Sequence, residues 1–302
     1  MIDLSSLIYG LHEKLSDSSP RKHLGASLIG DGCKRRLWYI FRHAYKEQFS
    51  GRMLRLFETG HLEEARLLKE LRTLGFEVVD RENGAQLRFK RIDGHFAGSI
   101  DGKIKIDGEW YLLEIKTHNK KNFEKLRLNG VRASFKKHFA QIQVYLSELK
   151  LKACLYIAVN KDSDEIYVEL VQASEKIASD MRDKALEVIT SEDAPERLSF
   201  THEECKYCAF KKPCHNLSSE LLPEFNCRTC INSTPSINET WSCVLERSEV
   251  QLQAGCSSHQ FIPSLIPGNL TEYDLESGSV FYKTIEGKTI INQTGKGLKV
   301  IA

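Results

Sequence analysis

Gly98-Ser-Ile-Asp101-Gly-Lys-Ile-Lys-Ile-Asp-Gly108-Glu-Trp110-Tyr-Leu-Leu-Glu114-Ile-Lys116-Thr117 is the stretch that decides the fold. Apolar and polar residues alternate along it with period two, and Asp107-Gly108 interrupts the alternation with a strong hairpin signal. The pattern predicts strands at His95–Ile106 and Trp110–Thr117, preceded across Asp93-Gly94 by a third at Gln86–Ile92. On the middle strand Phe96, Ile100, Ile104 and Ile106 share one face, which leaves Asp101 on the other with Ser99 and Lys103. Neither Asp nor Gly is favoured inside a strand, so Asp101-Gly102 needs a reason. Glu114 and Lys116, two apart, project from one face of the next strand, and the hairpin can carry them beside Asp101. Two carboxylates converging with a lysine form a hard-oxygen site suited to Mg²⁺ or Mn²⁺. Such an ion activates water and neutralises phosphate charge, while the lysine orients the water or stabilises the transition state. Taken alone, the same pattern is what solvated hairpin charges produce.

Working outward, residues 33–46 and 55–75 read as helices, the second with Leu67, Leu68, Leu71 and Leu74 on one stripe. Glu64 shares that stripe, as a paired core residue or as a metal ligand. A helix over about 134–149 places Gln141 and Tyr145 one turn apart on one face, suited to holding a phosphate, a base or the lysine. Strands at 153–160 and 165–172 and a helix at 173–190 complete a mixed α/β core. Between Lys116 and His138 runs a charged loop in which Lys120, Lys121, Lys125, Arg127, Arg132, Lys136 and Lys137 face one acid, Glu124. It has the place and sign for contacts to a DNA backbone.

These elements together resemble the RecB-like branch of the PD-(D/E)XK nuclease superfamily, which includes Cas4, AddB-type and phage recombination exonucleases. The residues that carry the resemblance are Gly60-x-x-x-Glu64, Gly98-Ser-Ile-Asp101-Gly, Glu114-Ile-Lys116 and Gln141-x-x-x-Tyr145, in that order, over roughly residues 20–216. The resemblance implies a restriction-endonuclease-like mixed-sheet core and hydrolysis of DNA phosphodiester bonds. It implies catalytic roles for Glu64, Asp101, Glu114, Lys116, Gln141 and Tyr145, with Glu64, Asp101, Glu114 and Ile115 as the metal contacts. Many members of the branch carry His where Glu64 stands, and His61 is close by, so either side chain could reach the metal. The Gln-x-x-x-Tyr helix favours an exonuclease in end processing or recombination, and DNA is the expected partner. The rival is a non-catalytic DNA-binding or assembly factor on a decayed nuclease fold, against which the intact Asp101, Glu114 and Lys116 argue.

The chain's 302 residues allow one sizeable core and a smaller appended module, expected at 1–220 and 221–302 with a boundary near 217–223. The formal net charge of +2 does not by itself announce a nucleic-acid binder. No signal peptide or apolar membrane span is visible, so a soluble protein of the bacterial cytoplasm is expected, encoded by the cell or by a phage. There a disulfide framework is disfavoured, and seven of the nine cysteines, crowded into the last third of the chain, read as metal ligands. Cys205, Cys208 and Cys214 need a fourth partner. By the same resemblance Cys33 joins them around a [4Fe–4S] cluster that staples the ends of the nuclease domain. The alternative keeps Cys33 in a core, with zinc on the other three plus His202 or His215. Cys227, Cys230, Cys243 and Cys256 suit a tetrahedral structural Zn²⁺ site, with His259 competing for the fourth position. The expected fold is thus an α/β nuclease core with a small zinc-binding C-terminal module, itself a candidate surface for a protein partner. Cys154 reads as a buried strand residue.

Overall fold

A computed structural model describes residues 2–16, 21–216, 220–245, 248–250 and 254–301. The expected boundary at 217–223 falls partly on 217–219, outside the described residues. The chain opens with α1 (Leu4–Leu15), the short β1 (Leu24–Gly25), α2 (Lys34–Arg42) and the long α3 (Gly51–Thr73). Next come β2 (Glu77–Val79), a small hairpin β3 (Arg81–Glu82) and β4 (Ala85–Gln86), then β5 (Arg88–Arg91), β6 (Phe96–Ser99), β7 (Gly102–Ile106) and β8 (Glu109–His118). Helices α4 (Lys120–Ser134) and α5 (Lys136–Leu149) lead to β9 (Ala153–Asn160), β10 (Ile166–Gln172), α6 (Glu175–Thr190) and a single turn, α7 (Lys211–Cys214).

The central sheet has the order β10-β9-β8-β7-β2, with β8 and β9 parallel and the other pairs antiparallel. Asp107-Gly108 is the two-residue turn between β7 and β8. Both residues adopt positive φ (50° and 85°), as the turn type that matches strand twist requires. On one sheet face α3 packs Leu67 and Leu68 against Ile104, Leu113, Ile115, Ile157 and Val159. The other face is buried in the main core, where Leu112, Cys154, Tyr156 and Ala158 meet residues of α2, α5 and α6.

Two expectations are corrected here. The predicted strand His95–Ile106 is not continuous. It ends at Ser99, and β6 pairs with β1 and β5 in a separate three-stranded sheet, while β7 restarts at Gly102 in the central one. Phe96 and Ile100 accordingly lie in the main core and Ile104 in the cluster under α3, so the chain changes layers at Ile100–Asp101. The poor strand formers mark that crossing. The predicted charged loop after Lys116 is instead helical: α4, kinked at Gly130 (φ 70°), is capped by the Asn119 side chain and buries Phe123, Leu126 and Val131. It keeps Lys120, Lys121, Lys125, Arg127 and Arg132 on its exposed side. Helical order was missed because the basic residues outnumber the spaced apolar ones.

After α7 the chain forms two further sheets. One is β11 (Ser233–Pro235), β12 (Trp241–Cys243) and β13 (Ser248–Val250). The other is the meander β14 (Asn269–Asp274), β15 (Ser279–Lys283), β16 (Thr289–Gln293) and β17 (Gly297–Ile301). The meander has a small core of its own in Phe261, Ile266, Tyr282 and Ile290, whereas Trp241, Ile262 and Leu265 join the main core. Among the described residues no helix is long and apolar enough to cross a membrane.

Candidate active site

The layer change at Ile100–Asp101 builds the site. Because the chain leaves one sheet and enters another there, Asp101 sits in the gap and is accessible from β8 and from α3. Its Oδ2 accepts the backbone N–H of Ile115 at 2.8 Å, which fixes the carboxylate beside β8. Lys116 Nζ donates to Glu114 Oε1, lies 3.7 Å from Asp101 Oδ2 and also donates to the Ile115 carbonyl at 3.2 Å. Glu114 is wholly buried and its Oε2 has no hydrogen-bond partner. Glu64 approaches from α3, half-buried, on the stripe that seats Leu67 and Leu68; His61 is exposed.

The electrostatics follow from this crowding. Burial first, and then the neighbouring Asp101, push the Glu64 carboxyl up to about 7. Complete burial raises Glu114; Lys116 opposes this, and Asp101 and Glu64 add to it. Burial alone would lower the Lys116 ammonium, but Glu114 and Asp101 outweigh it and hold it charged. Three carboxyl groups thus share one ammonium. Among the described residues no three His, Cys, Asp or Glu side chains are arranged as an ion cage. The donors nonetheless fit a divalent cation. They are hard oxygens crowded enough to raise Glu64 and Glu114, which an added cation would relieve, and one buried oxygen is unpartnered.

Gln141 and Tyr145 are both buried on α5. Gln141 Nε2 donates to Tyr145 Oη at 3.2 Å, and that hydroxyl donates to the Ser99 carbonyl at 2.7 Å. They therefore brace the backbone just before Asp101. Gly98 is required for this approach: a Cβ there would lie 2.7 Å from Tyr145 Oη and 2.8 Å from its ring. Sequence reasoning missed three groups near Lys116, namely the buried His118 and Tyr156 and the half-buried His138. The signal was available, since His118 shares the strand face of Glu114 and Lys116, and His138 lies one turn before Gln141.

Cys33, Cys205, Cys208 and Cys214 line a single cavity with Arg36 and Tyr39. Cys33 caps α2, its Sγ accepting the Arg36 N–H at 3.4 Å. Burial raises the Cys33, Cys205 and Cys208 thiols, and the nearby Cys214 adds to each. Four thiols around one cavity are the donor set that an iron–sulfur cluster takes. In the other cysteine set, pairing of Ser233 with Cys243 brings β12 to the segment after Cys230. The bridge between Asn226 and Ala254 brings the Cys256 segment towards Cys227. Cys256 is exposed, and buried His259 points Nε2 at the Asn226 carbonyl (3.0 Å) and Thr229 Oγ1 (3.2 Å).

Fold and site define a class: a mixed α/β sheet that gathers three carboxyl groups and a lysine where a strand breaks. The chain belongs to the PD-(D/E)XK nuclease superfamily, whose family model matches residues 12–215. The solved structure of SSO0001 shares 17% identity, with 70% of this chain and 96% of that one covered, at a TM-score of 0.43. An alkaline exonuclease from Laribacter hongkongensis (LHK-Exo) shares 14% identity, with 56% and 87% covered, at a TM-score of 0.42. A search of curated proteins found no match.

Proposed function

We propose that this protein is a Mg²⁺- or Mn²⁺-dependent deoxyribonuclease that degrades DNA from its ends, in end processing or recombination. The observation that carries the reading is the convergence of Glu64, Asp101 and Glu114 on Lys116, with Glu114 Oε2 buried and unpartnered. Glu64, Asp101, Glu114 and the Ile115 carbonyl would hold the ion. When bound, it supplies an activated water and a charge partner for the phosphate. The Ile115 N–H keeps Asp101 aimed, and the Gln141–Tyr145–Ser99 chain holds the bend on which Asp101 sits. Lys116, seated on Glu114 and 3.7 Å from Asp101, would face the reacting phosphate. The exposed cations of α4 begin two residues after β8 and take the DNA backbone on either side. Incubation with linear and with circular DNA plus either metal tests the reading. Linear DNA should shorten from its ends, circular DNA should persist, and chelator should stop the reaction. Failure to cut with both metals sinks the nuclease, and equal cutting of circles sinks the end requirement.

The cysteine cavity supports a [4Fe–4S] cluster on Cys33, Cys205, Cys208 and Cys214 that ties the start of α2 to the end of the core. Anaerobically purified protein should then be brown, with iron and sulfide near four each per chain, on the order a Cys₄ cluster requires. Cys33→Ser should lose the colour as fully as Cys208→Ser. Full iron content in Cys33→Ser removes the staple.

Residues 221–302 are proposed as a second domain holding one Zn²⁺ through Cys227, Cys230, Cys243 and Cys256, and as the surface for a protein partner. The sheet pairings that bring the four segments together support the metal site. Zinc analysis of full-length protein should show Cys256→Ser losing the ion and His259→Ala keeping it. The opposite pattern would move the ligand to His259.

A further inference from the structure

Behind the lysine lies a second, uncharged set of groups. His118 follows Lys116 on the same face of β8, and Tyr156, fully buried on β9, is the register partner of Glu114. The Tyr156 hydroxyl is 3.1 Å from His118 Nε2 and 3.0 Å from His138 Nδ1 of α5. A phenol has one proton, so it donates to one imidazole and accepts from the other, which ties the tautomer of one ring to that of the other. Both rings are neutral: burial first, and Lys116 second, push His118 down to about 4 and His138 to about 3. Phe135 stacks on His118 with centroids 4.3 Å apart and planes within 10°. The phenol is therefore anchored at both ends, by its strand and by its hydroxyl.

Lys116 needs a wall on this side. Its own register partner is Ala158, whose methyl group is too small to confine a lysine stem. The large same-face neighbours are Tyr156 across the strand pair and His118 along β8. All three members of the cluster feel the Lys116 charge.

We propose that the His118–Tyr156–His138 clamp is a positioning device that holds the Lys116 ammonium on Glu114 and Asp101, facing the reacting phosphate. The inference rests on the nuclease reading of that site and goes beyond it, because that reading gives none of the three residues a role. With the clamp released, the ammonium leaves Glu114 more readily. It is then less often in place for the chemistry and competes less with a cation for the carboxylate.

Tyr156→Phe in the full-length protein tests this, since it keeps the ring and removes the clamped hydroxyl. The expected result is a fall in kcat of roughly tenfold, the scale of one lost buried hydrogen-bond pair, with KM for DNA unchanged. Mn²⁺ titration should show tighter binding by a similar factor. In a Lys116→Ala background Tyr156→Phe should leave Mn²⁺ affinity where Lys116→Ala alone puts it, because the effect passes through the lysine. His138→Gln, a change on α5 rather than in the sheet, should shift both readouts in the same direction and covers the case in which Tyr156→Phe fails to fold. Wild-type kcat in both variants overturns the clamp, as does a Mn²⁺ shift that persists without Lys116. A wild-type protein that binds no Mn²⁺ and cuts no DNA overturns the nuclease reading and this inference together.

Discussion

Alanine at Asp101, Glu114 or Lys116 is expected to abolish DNA cleavage while DNA binding and the folded state persist. In the proposed reaction each would act where charge changes, and losing a metal ligand typically removes several kcal/mol of stabilisation, roughly a thousandfold or more in rate. Asp101 is tied to the Ile115 N–H, so its loss frees one backbone donor at the site without opening the core. Glu114 is wholly buried, and Glu114→Gln is the cleanest variant because it keeps the shape and removes the charge. Lys116 is a quarter exposed on its side chain, so its removal leaves room for water rather than a sealed cavity. Single-turnover cleavage, filter binding and circular dichroism on the same preparations check the set. Wild-type-like cleavage by any one of them under saturating metal refutes its assignment.

Arg228→Ala should be the most destabilising single change in the C-terminal segment. Arg228 is fully buried and donates to the carbonyls of Arg21 (3.2 Å), Lys22 (3.0 Å) and Phe41 (2.6 Å). Its guanidinium also lies over the rings of Phe41 and Trp241, at 5.5 and 5.1 Å from their centroids. Arg42 mirrors it from α2, donating to the carbonyls of Ser191, Arg228 and Ser233 and packing against Trp38 and Trp241. Burial lowers both arginines, to about 9 for Arg228 and about 10 for Arg42, so each is still charged at neutral pH. Carbonyls, not carboxylates, carry these cations. Alanine at 228 would take the guanidinium from the buried Phe41 carbonyl and the partly buried Arg21 and Lys22 carbonyls and leave a cavity between Phe41 and Trp241, a loss on the order of 3–5 kcal/mol. That is a large part of the roughly 5–15 kcal/mol that holds a typical domain folded. Urea unfolding should show the midpoint falling sharply, and an unchanged midpoint would mean that the two arginines do not join the segments.

The shared face of Glu114 and Lys116 was legible because strand periodicity is local. Glu114 and Lys116 share a face whatever the fold does, and Asp107-Gly108 sets the hairpin through the positive φ angles that its turn demands. Glu64 was legible for a similar reason, since helical spacing put it on the leucine stripe. Gly98 could be quoted as part of a pattern, but its purpose lies in a contact with Tyr145, 47 positions away in the chain. Nor could spacing assign α4, where the cations on the exposed face hid the three apolar residues facing the core.

By itself the sequence determined the mixed α/β order, the hairpin, the face shared by Glu114 and Lys116, and the grouping of cysteines along the chain. These depend on backbone preference and on a repeat of two or 3.6 residues, which act over a few positions. Only the tertiary structure decided that the strand breaks at Ile100–Asp101 and opens Asp101 to both layers. It alone bound Tyr156 between His118 and His138, and it alone carried Arg228 to the carbonyls beside α2. Those outcomes are set by burial. A buried hydroxyl, guanidinium or carbonyl must find a partner wherever the packed chain offers one, and no local repeat records where that is.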